Sequence, residues 1–306
     1  MSKTKITAIL IATILTASPT AVFALAMPQT GNDLAGLAGL AAQSYIVADA
    51  ATGDVLISKN ADVPWPPASL TKLVTALVVL DTKPRLAKSV VMTQSDQDAG
   101  QCQSGGACIR SKAGVKFTVD GLFHATLLPS ANNAASALAR STGLSAAVFA
   151  DRMNKKAQSL GATASHFNEP TGLNPQNQIT AADYAKIVAA AFKNPYLSKI
   201  AGLKTFALRS ANNFRYNQVI KNTDKLLANA DITVLGAKTG YLDESKYNFS
   251  ALISYRGGQK LAIVVLGEDH LYTAFDETKL LASLADQALG LALINHPAQV
   301  LDASTP

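Results

Sequence analysis

Ser69-Leu70-Thr71-Lys72-Leu73-Val74-Thr75-Ala76-Leu77-Val78-Val79-Leu80 is the stretch from which the rest of the chain can be read. Pro64, Pro66 and Pro67 surround the lone tryptophan, Trp65, just before it. Proline fixes its own φ and pushes the preceding residue out of the helical region, so 64–67 is extended and a helix starts near Ser69, to end by Pro84. Leu70, Leu73, Val74, Leu77, Val78 and Leu80 spread around that helix instead of forming one stripe, which predicts burial on nearly every side. Ser69 and Lys72 share one face, about one turn apart. A lysine that is desolvated and close to another cation loses basicity and can accept the serine proton. The helix start adds free N–H groups and a positive potential suited to an anionic intermediate. Roughly one S-x-x-K arises by chance in a chain this long, and Ser2/Lys5 is such a match. The extended approach and the buried helix set Ser69 apart.

Two further strings follow in order. Ser130-Ala131-Asn132 comes after Pro129, between helices expected over Thr118–Leu128 and Ala131–Arg140. A hydroxyl there can relay a proton to a leaving amine, and an amide can hold a substrate backbone and the lysine; the plainer role for Ser130 is a helix cap. A second copy, Ser210-Ala211-Asn212, lies in a polar loop with no helix close behind it. Lys238-Thr239-Gly240 occurs once and ends a strand expected over Ile232–Ala237. A strand edge offers backbone groups to an extended peptide, lysine and threonine can bind a terminal carboxylate, and glycine admits a close approach. The plainer reading is a strand-to-turn junction. Together the three strings name serine acyl transfer with lysine, not histidine, managing the protons.

Outward from these strings, the 306 residues are 48% hydrophobic and 16% charged, an ordinary enzyme-sized composition. Lys3 and Lys5, the apolar run Ile6–Leu15 and Ala24-Leu25-Ala26 form the three-part pattern of a secretory signal peptide over 1–26, cleaved after Ala24 or Ala26. The apolar run is shorter than the about 20 residues that span a bilayer; the alternative is an uncleaved N-terminal anchor. No later segment reads as transmembrane, so the mature chain is expected to be periplasmic or secreted, with no integral membrane segment. Without Lys3 and Lys5 the net charge is +4, with basic residues scattered, which argues against a nucleic-acid partner. Cys102 and Cys108 flank Ser104-Gly105-Gly106 and are expected to close a disulfide in an exported protein; the alternative is two free thiols. The histidines 124, 166, 270 and 296 have no metal-ligand spacing, so neither metal nor cofactor is expected.

Residues 27–43, rich in Ala, Gly and Leu, read as a lead-in. Tyr45–Asp49 and Val55–Lys59 flank Ala51-Thr52-Gly53-Asp54 as a hairpin. The middle, about 85–230, is mostly helical by pattern, with loops at 94–116 and 163–178 and helices over Ser145–Leu160 and 181–192, the latter capped by Thr180 with Asp183. Phe249–Tyr255 and Lys260–Leu266 form a second hairpin about Gly257-Gly258, and a last helix covers 276–294 before a polar tail. Strands at both ends with helices between them predict an α+β fold: one antiparallel sheet built from both termini, with a helical region inserted.

At this point the residues resemble the low-molecular-mass penicillin-binding proteins, serine D-alanyl-D-alanine carboxypeptidases and endopeptidases. Pro67-Ala68-Ser69-Leu70-Thr71-Lys72-Leu73 is similar to the nucleophile segment of that family, and Leu127-Leu128-Pro129-Ser130-Ala131-Asn132-Asn133-Ala134 to its second motif. Met153-Asn154-Lys155-Lys156-Ala157, His166-Phe167-Asn168, Pro170-Thr171-Gly172-Leu173 and Thr180-Ala181-Ala182-Asp183-Tyr184-Ala185 extend the likeness over about 44–290. The resemblance implies the fold of serine β-lactamases and transpeptidases, a five-stranded antiparallel sheet flanked by helices beside a helical subdomain, here within 44–306. It also implies peptidoglycan stem peptides as substrates and β-lactam antibiotics as covalent inhibitors. Ser69 would be acylated, Lys72 would be the base, Ser130 the proton relay and Asn132 the positioner. Lys238 and Thr239 of Lys238-Thr239-Gly240 would hold the terminal carboxylate, and the N–H groups of Ser69 and Tyr241 would form the oxyanion hole. Only 66 residues follow Gly240, as in single-domain members, several of which are endopeptidases. Rival readings are a class A β-lactamase, whose glutamate-bearing loop Glu169-Pro170-Thr171-Gly172-Leu173-Asn174 matches only superficially, and a non-catalytic wall-binding relative.

Overall fold

The computed structural model describes Leu37, 39–229, 232–254 and 258–295. The signal-peptide pattern at 1–26, residues 27–36 and 38 of the lead-in, Gly257 and the tail beyond Asn295 lie outside the described residues. Along the chain run β1 (Ser44–Asp49), β2 (Val55–Lys59), α1 (Thr71–Asp81), β3 (Ser89–Val91), α2 (Gln94–Ala99), β4 (Lys116–Thr118), α3 (Val119–Leu127) and α4 (Asn132–Arg140). Then follow α5 (Ala146–Ser159), α6 (Ala181–Lys193), α7 (Pro195–Ala201), β5 (Thr205–Leu208), β6 (Gln218–Lys221), β7 (Thr233–Leu242), β8 (Lys246–Ser254), β9 (Lys260–Glu268) and α8 (Leu271–Asn295).

The first two and last three strands form one antiparallel sheet in the order β2-β1-β9-β8-β7. Alternation of side chains divides it into two apolar faces. Tyr45, Val47, Phe249, Ile253, Ile263 and Val265 face α8, where Phe249 meets Phe275 edge-on at 4.9 Å. Ile46, Ala48, Leu252, Ala262, Val264 and Leu266 face the opposite core, which contains α1 and α6.

The helix α1 is enclosed as its apolar distribution requires: nine of its 11 residues are buried. Burying Leu73, Val74, Leu77, Val78 and Val79 contributes on the order of 10 kcal/mol, enough to carry a lysine on the same helix into the interior. One end of α1 is pinned by Tyr184 of α6, whose hydroxyl donates to the Leu70 carbonyl at 2.5 Å.

The inserted region is less uniformly helical than its pattern suggests. Two short ladders, β3–β4 and β5–β6, lie within it. The expected 94–116 loop begins with α2, which Thr93 and Asp96 start with a reciprocal capping box. Asn194 caps α7, with Pro195 in its first turn. The α6 helix packs on the main sheet, against β9 and β1. Lys238-Thr239-Gly240 does not end a strand: β7 continues to Leu242, because Tyr241 and Leu242 still pair with Tyr247 and Lys246 around a tight turn. The last helix starts at Leu271, earlier than 276.

Candidate active site

Three segments converge on a cleft of about 480 Å³: the start of α1, the turn between α3 and α4, and β7 at the sheet edge. Ser69 sits in a single 3-10 turn, Ala68–Leu70, that leads into α1. The lysine one turn on is fully buried. Its Nζ lies 2.7 Å from Ser69 Oγ, 2.7 Å from Asn132 Oδ1 and 2.5 Å from the Thr171 carbonyl oxygen. Two of these three neighbours are carbonyl oxygens and can only accept. A neutral amine has two N–H bonds and one lone pair. With both N–H bonds given to Asn132 and Thr171, the lone pair is left for the serine hydroxyl. Burial pushes the Lys72 pKa from 10.5 down to about 7, opposed in part by the Glu169 carboxylate.

Two glycines let the chain close around the nucleophile. Gly172 has φ +83°, and a Cβ there would stand 1.8 Å from the Ala68 carbonyl oxygen. A Cβ on Gly240 would lie 2.8 Å from the Pro67 carbonyl oxygen and 3.2 Å from Ser69 N, so β7 approaches the nucleophile only because that position is bare.

Ser130 does not cap α4, whose N-cap is Ala131 without a side-chain bond. It is held instead at φ +62°, a conformation disfavoured for a residue with a Cβ. That turn brings its hydroxyl to the buried Lys238, whose Nζ donates to Ser130 Oγ at 2.7 Å and to the Thr239 carbonyl at 2.9 Å. With the oxygen accepting from lysine, the hydroxyl proton is free to be donated into the cleft. Burial holds the Lys238 ammonium well below its usual pKa, and the charge on Lys72 adds to the effect. The Thr239 and Thr223 hydroxyls are 2.7 Å apart. Tyr241 lines the mouth, stacked obliquely on Tyr247 at 4.4 Å.

The 169–177 loop supplies the site's floor. Glu169 spends both carboxylate oxygens inside that loop: one accepts from the Thr171 N–H and hydroxyl, each at 2.6 Å, the other from Gly172 N at 2.6 Å, Asn177 Nδ2 at 3.1 Å and Asn174 N at 3.4 Å. Asn177 Nδ2 also reaches Thr71 Oγ1 at 3.2 Å. Glu169 thus shapes the turn that aims the Thr171 carbonyl at Lys72. The carboxylate is occupied with five donors, unlike the water-activating glutamate of the β-lactamase reading.

The structure therefore gathers Ser69, Lys72, Ser130, Asn132, Lys238, Thr239, Gly240 and Tyr241 at one cleft. Cys102 and Cys108 are bonded, with Cα atoms 5.7 Å apart, and their loop forms one lip. The rival Ser210-Ala211-Asn212 braces the chain beside β4: Asn212 Oδ1 accepts from Lys116 N and its Nδ2 donates to the Gly114 carbonyl. Thr171, Glu169, Asn177 and Thr223 act at the site without having been singled out as site residues by sequence. Thr171 contributes a backbone carbonyl, which leaves no side-chain signal. Among the described residues no group of three or more His, Cys, Asp or Glu converges to hold a metal, and no helix is long and apolar enough to cross a membrane.

A serine flanked by two buried lysines, on this sheet and helix frame, defines a serine acyl-transfer enzyme. The comparisons narrow the class. Residues 31–270 match the model of the D-alanyl-D-alanine carboxypeptidase family. D-alanyl-D-alanine carboxypeptidase DacB2 of Mycobacterium tuberculosis is 36% identical over 228 residues, 74% of either chain. A D-alanyl-D-alanine endopeptidase of Pseudomonas aeruginosa is 33% identical over 264 residues, 85% of this chain and 82% of that one. The crystal structure of a Streptomyces DD-transpeptidase superposes with a TM-score of 0.74 at 27% identity, covering 81% of this chain and 98% of the other. The chain belongs to the D-alanyl-D-alanine carboxypeptidase family and is a serine peptidase of that carboxypeptidase/endopeptidase class.

Proposed function

We propose that this protein is exported and cleaves D-alanyl peptide bonds of peptidoglycan stem peptides through an acyl-enzyme on Ser69. The observation that carries the residue assignment is the buried Lys72 amine, 2.7 Å from Ser69 Oγ and held by two carbonyl acceptors. Ser69 Oγ attacks the carbonyl carbon of the penultimate D-alanine as its proton passes to Lys72. The N–H groups of Ser69 and Tyr241 receive the developing oxyanion. Asn132 aligns the substrate and the lysine. Ser130 passes its proton to the leaving nitrogen and is reprotonated by the Lys72 ammonium, so the C–N bond breaks with Lys72 neutral again. Lys238 and Thr239 hold the terminal carboxylate, Thr239 with Thr223 at its side. Water then attacks the acyl carbon as Lys72 takes its proton, and Lys72 returns that proton to Ser69 Oγ as the ester C–O bond breaks.

Residues 1–26 act as the signal peptide and 44–306 as the peptidase domain, with 85–230 as its helical subdomain. Export places the enzyme in the periplasm or outside the cell, where the Cys102–Cys108 bond persists. β-Lactams, which mimic the acyl donor, form a lasting adduct.

The test is intact mass after brief exposure to benzylpenicillin, followed over time and mapped by digestion. A persistent penicilloyl group on Ser69, absent from Ser69→Ala, is the expected result. Rapid loss of the adduct favours a β-lactamase, and no adduct on folded protein favours a wall-binding relative. Peptides ending in D-Ala-D-Ala, compared with cross-linked dimers, then measure the balance of carboxypeptidase and endopeptidase action.

A further inference from the structure

The loop closed by Cys102 and Cys108 sits where no catalytic role has been given to it, yet it touches the catalytic machinery directly. Its Ser104, Gly105, Gly106 and Ala107 line the cleft that also contains Ser69. The Ala107 carbonyl accepts from Asn132 N at 2.6 Å, and the Gly100 carbonyl accepts from Asn132 Nδ2 at 3.3 Å. Asn133, the next residue, brackets Ile109 with both ends of its amide, Oδ1 to Ile109 N at 3.1 Å and Nδ2 to the Ile109 carbonyl at 3.0 Å. The loop is thus stitched to two consecutive residues of the second motif on either side of the disulfide.

The Gly100 contact has a chemical consequence. An asparagine amide can turn over and exchange its donor and acceptor ends. With Nδ2 engaged by the Gly100 carbonyl, Oδ1 is the end that faces Lys72 Nζ, at 2.7 Å. If the amide turned over, it would present N–H groups to the lysine and remove one of the two acceptors that direct its lone pair to Ser69.

Beyond these hydrogen bonds and the short backbone turns at Gln97 and Gln101, the loop is held by the covalent bond and not by packing. Gln101, Gln103, Ser104, Gly105 and Ala107 are exposed, so the segment buries almost no apolar surface. Gln101 and Gly105 have positive φ, and Gly106 is so close to the Gly100 carbonyl oxygen that a Cβ would stand 2.2 Å from it. The disulfide spans only six positions, so it removes little entropy from the unfolded chain compared with a long-range bridge. Its effect is local order.

We propose that the Cys102–Cys108 disulfide is a positioning element for acylation: it fixes the 100–109 backbone against Asn132 and so keeps Lys72 directed at Ser69. This rests on the assignment of Ser69 and Lys72 above. The second-order rate of acylation by a fluorescent penicillin is measured against pH for three preparations: the oxidised enzyme, Cys102→Ser/Cys108→Ser, and enzyme reduced by a phosphine in the folded state. The expected result is a drop of about tenfold or more in rate without the disulfide, with cooperative melting retained. The acid limb of the profile moves by half a unit or more, and oxidised glutathione restores the rate of the reduced enzyme. Acylation within twofold of the oxidised enzyme, with an unmoved limb, overturns the proposal, since a purely structural bridge changes melting alone. If the double variant does not fold, the reduced wild-type enzyme decides by the same criteria. An oxidised wild-type enzyme that fails to acylate sinks the Ser69 assignment itself, which separates the two failures.

Discussion

The acidity of Lys72 sets a measurable pH profile for acylation. Only the neutral amine can take the Ser69 proton, so the rate follows the neutral fraction. With a pKa of about 7, that fraction is about 1% at pH 5, about half at pH 7 and about 99% at pH 9. An ordinary lysine at 10.5 would be neutral in about one molecule in 3,000 at pH 7, and its profile would still be climbing at pH 9. The two cases differ by more than a thousandfold at neutrality. Stopped-flow acylation with a fluorescent penicillin between pH 5 and 9 separates them. The log rate rises with unit slope at low pH and bends to a plateau near 7. A rate that is flat over this range, or one that climbs without bending through pH 9, refutes Lys72 as the base. The same shift bears on stability. Between about 7 and 10.5 the unfolded chain binds this proton and the folded chain does not, so this group's contribution to stability improves as pH rises through that window. The penalty below it, about 5 kcal/mol at 1.36 kcal/mol per unit, is of the size that the apolar burial on α1 can offset.

Glu169→Gln keeps the size of the side chain but sets an NH2 group against backbone N–H donors at Thr171 or Gly172. A loss of about 2–4 kcal/mol in denaturant unfolding and a slower acylation are expected; an unchanged midpoint would contradict the loop's role. Gly172→Ala collides with the Ala68 carbonyl and requires φ +83° of an alanine, so acylation falls by more than about a hundredfold or the protein fails to fold, and a variant acylated at the normal rate would show that the approach is not needed. Glu268, buried and facing Glu277, has its pKa raised from 4.5 to about 7 by burial, then by the Glu277 charge. The folded protein therefore holds a proton that the unfolded chain releases, and stability falls as pH rises from 4.5 to about 7. Glu268→Gln is expected to raise Tm at pH 8 and to flatten this dependence, and calorimetry at pH 5 and 8 checks both.

The parts of the fold that were legible from sequence are those where one local rule acts without competition. Proline punctuation and an all-round apolar helix placed α1, and runs flanking the turn segments Ala51-Thr52-Gly53-Asp54 and Gly257-Gly258 placed β1, β2 and β9. The three motifs named most of the side chains that line the cleft, because their chemistry is unusual in just those positions. What the sequence hid was set by tertiary pairing. The ladders β3–β4 and β5–β6 are three or four residues long, too short for a period to emerge. The β7 strand runs past Gly240 because β8 pairs with it, although Thr-Gly reads locally as a turn. The capping box of α2 was readable at Thr93 and Asp96, but the residues that follow it, Gln94–Ala99, are nearly all polar and carry no apolar period. Glu169 gave a signal with two meanings, and only its five donors decide between a water activator and a turn former.

Two lysines in one buried site form a costly arrangement, and each makes sense in terms of the other. Both are fully enclosed and both are pushed toward the neutral form by burial; Lys238 is pushed further by the charge on Lys72. The proposed mechanism asks opposite states of them: Lys72 neutral, to accept the serine proton, and Lys238 charged, to hold a carboxylate. A substrate carboxylate arriving beside Thr239 resolves this conflict. Its charge favours the Lys238 ammonium directly. A charged Lys238 then disfavours a proton on Lys72, which leaves that amine free to act as base. The ligand's own negative charge thus assigns the two protonation states, and a peptide lacking the terminal carboxylate would lose activation of the nucleophile along with its anchor.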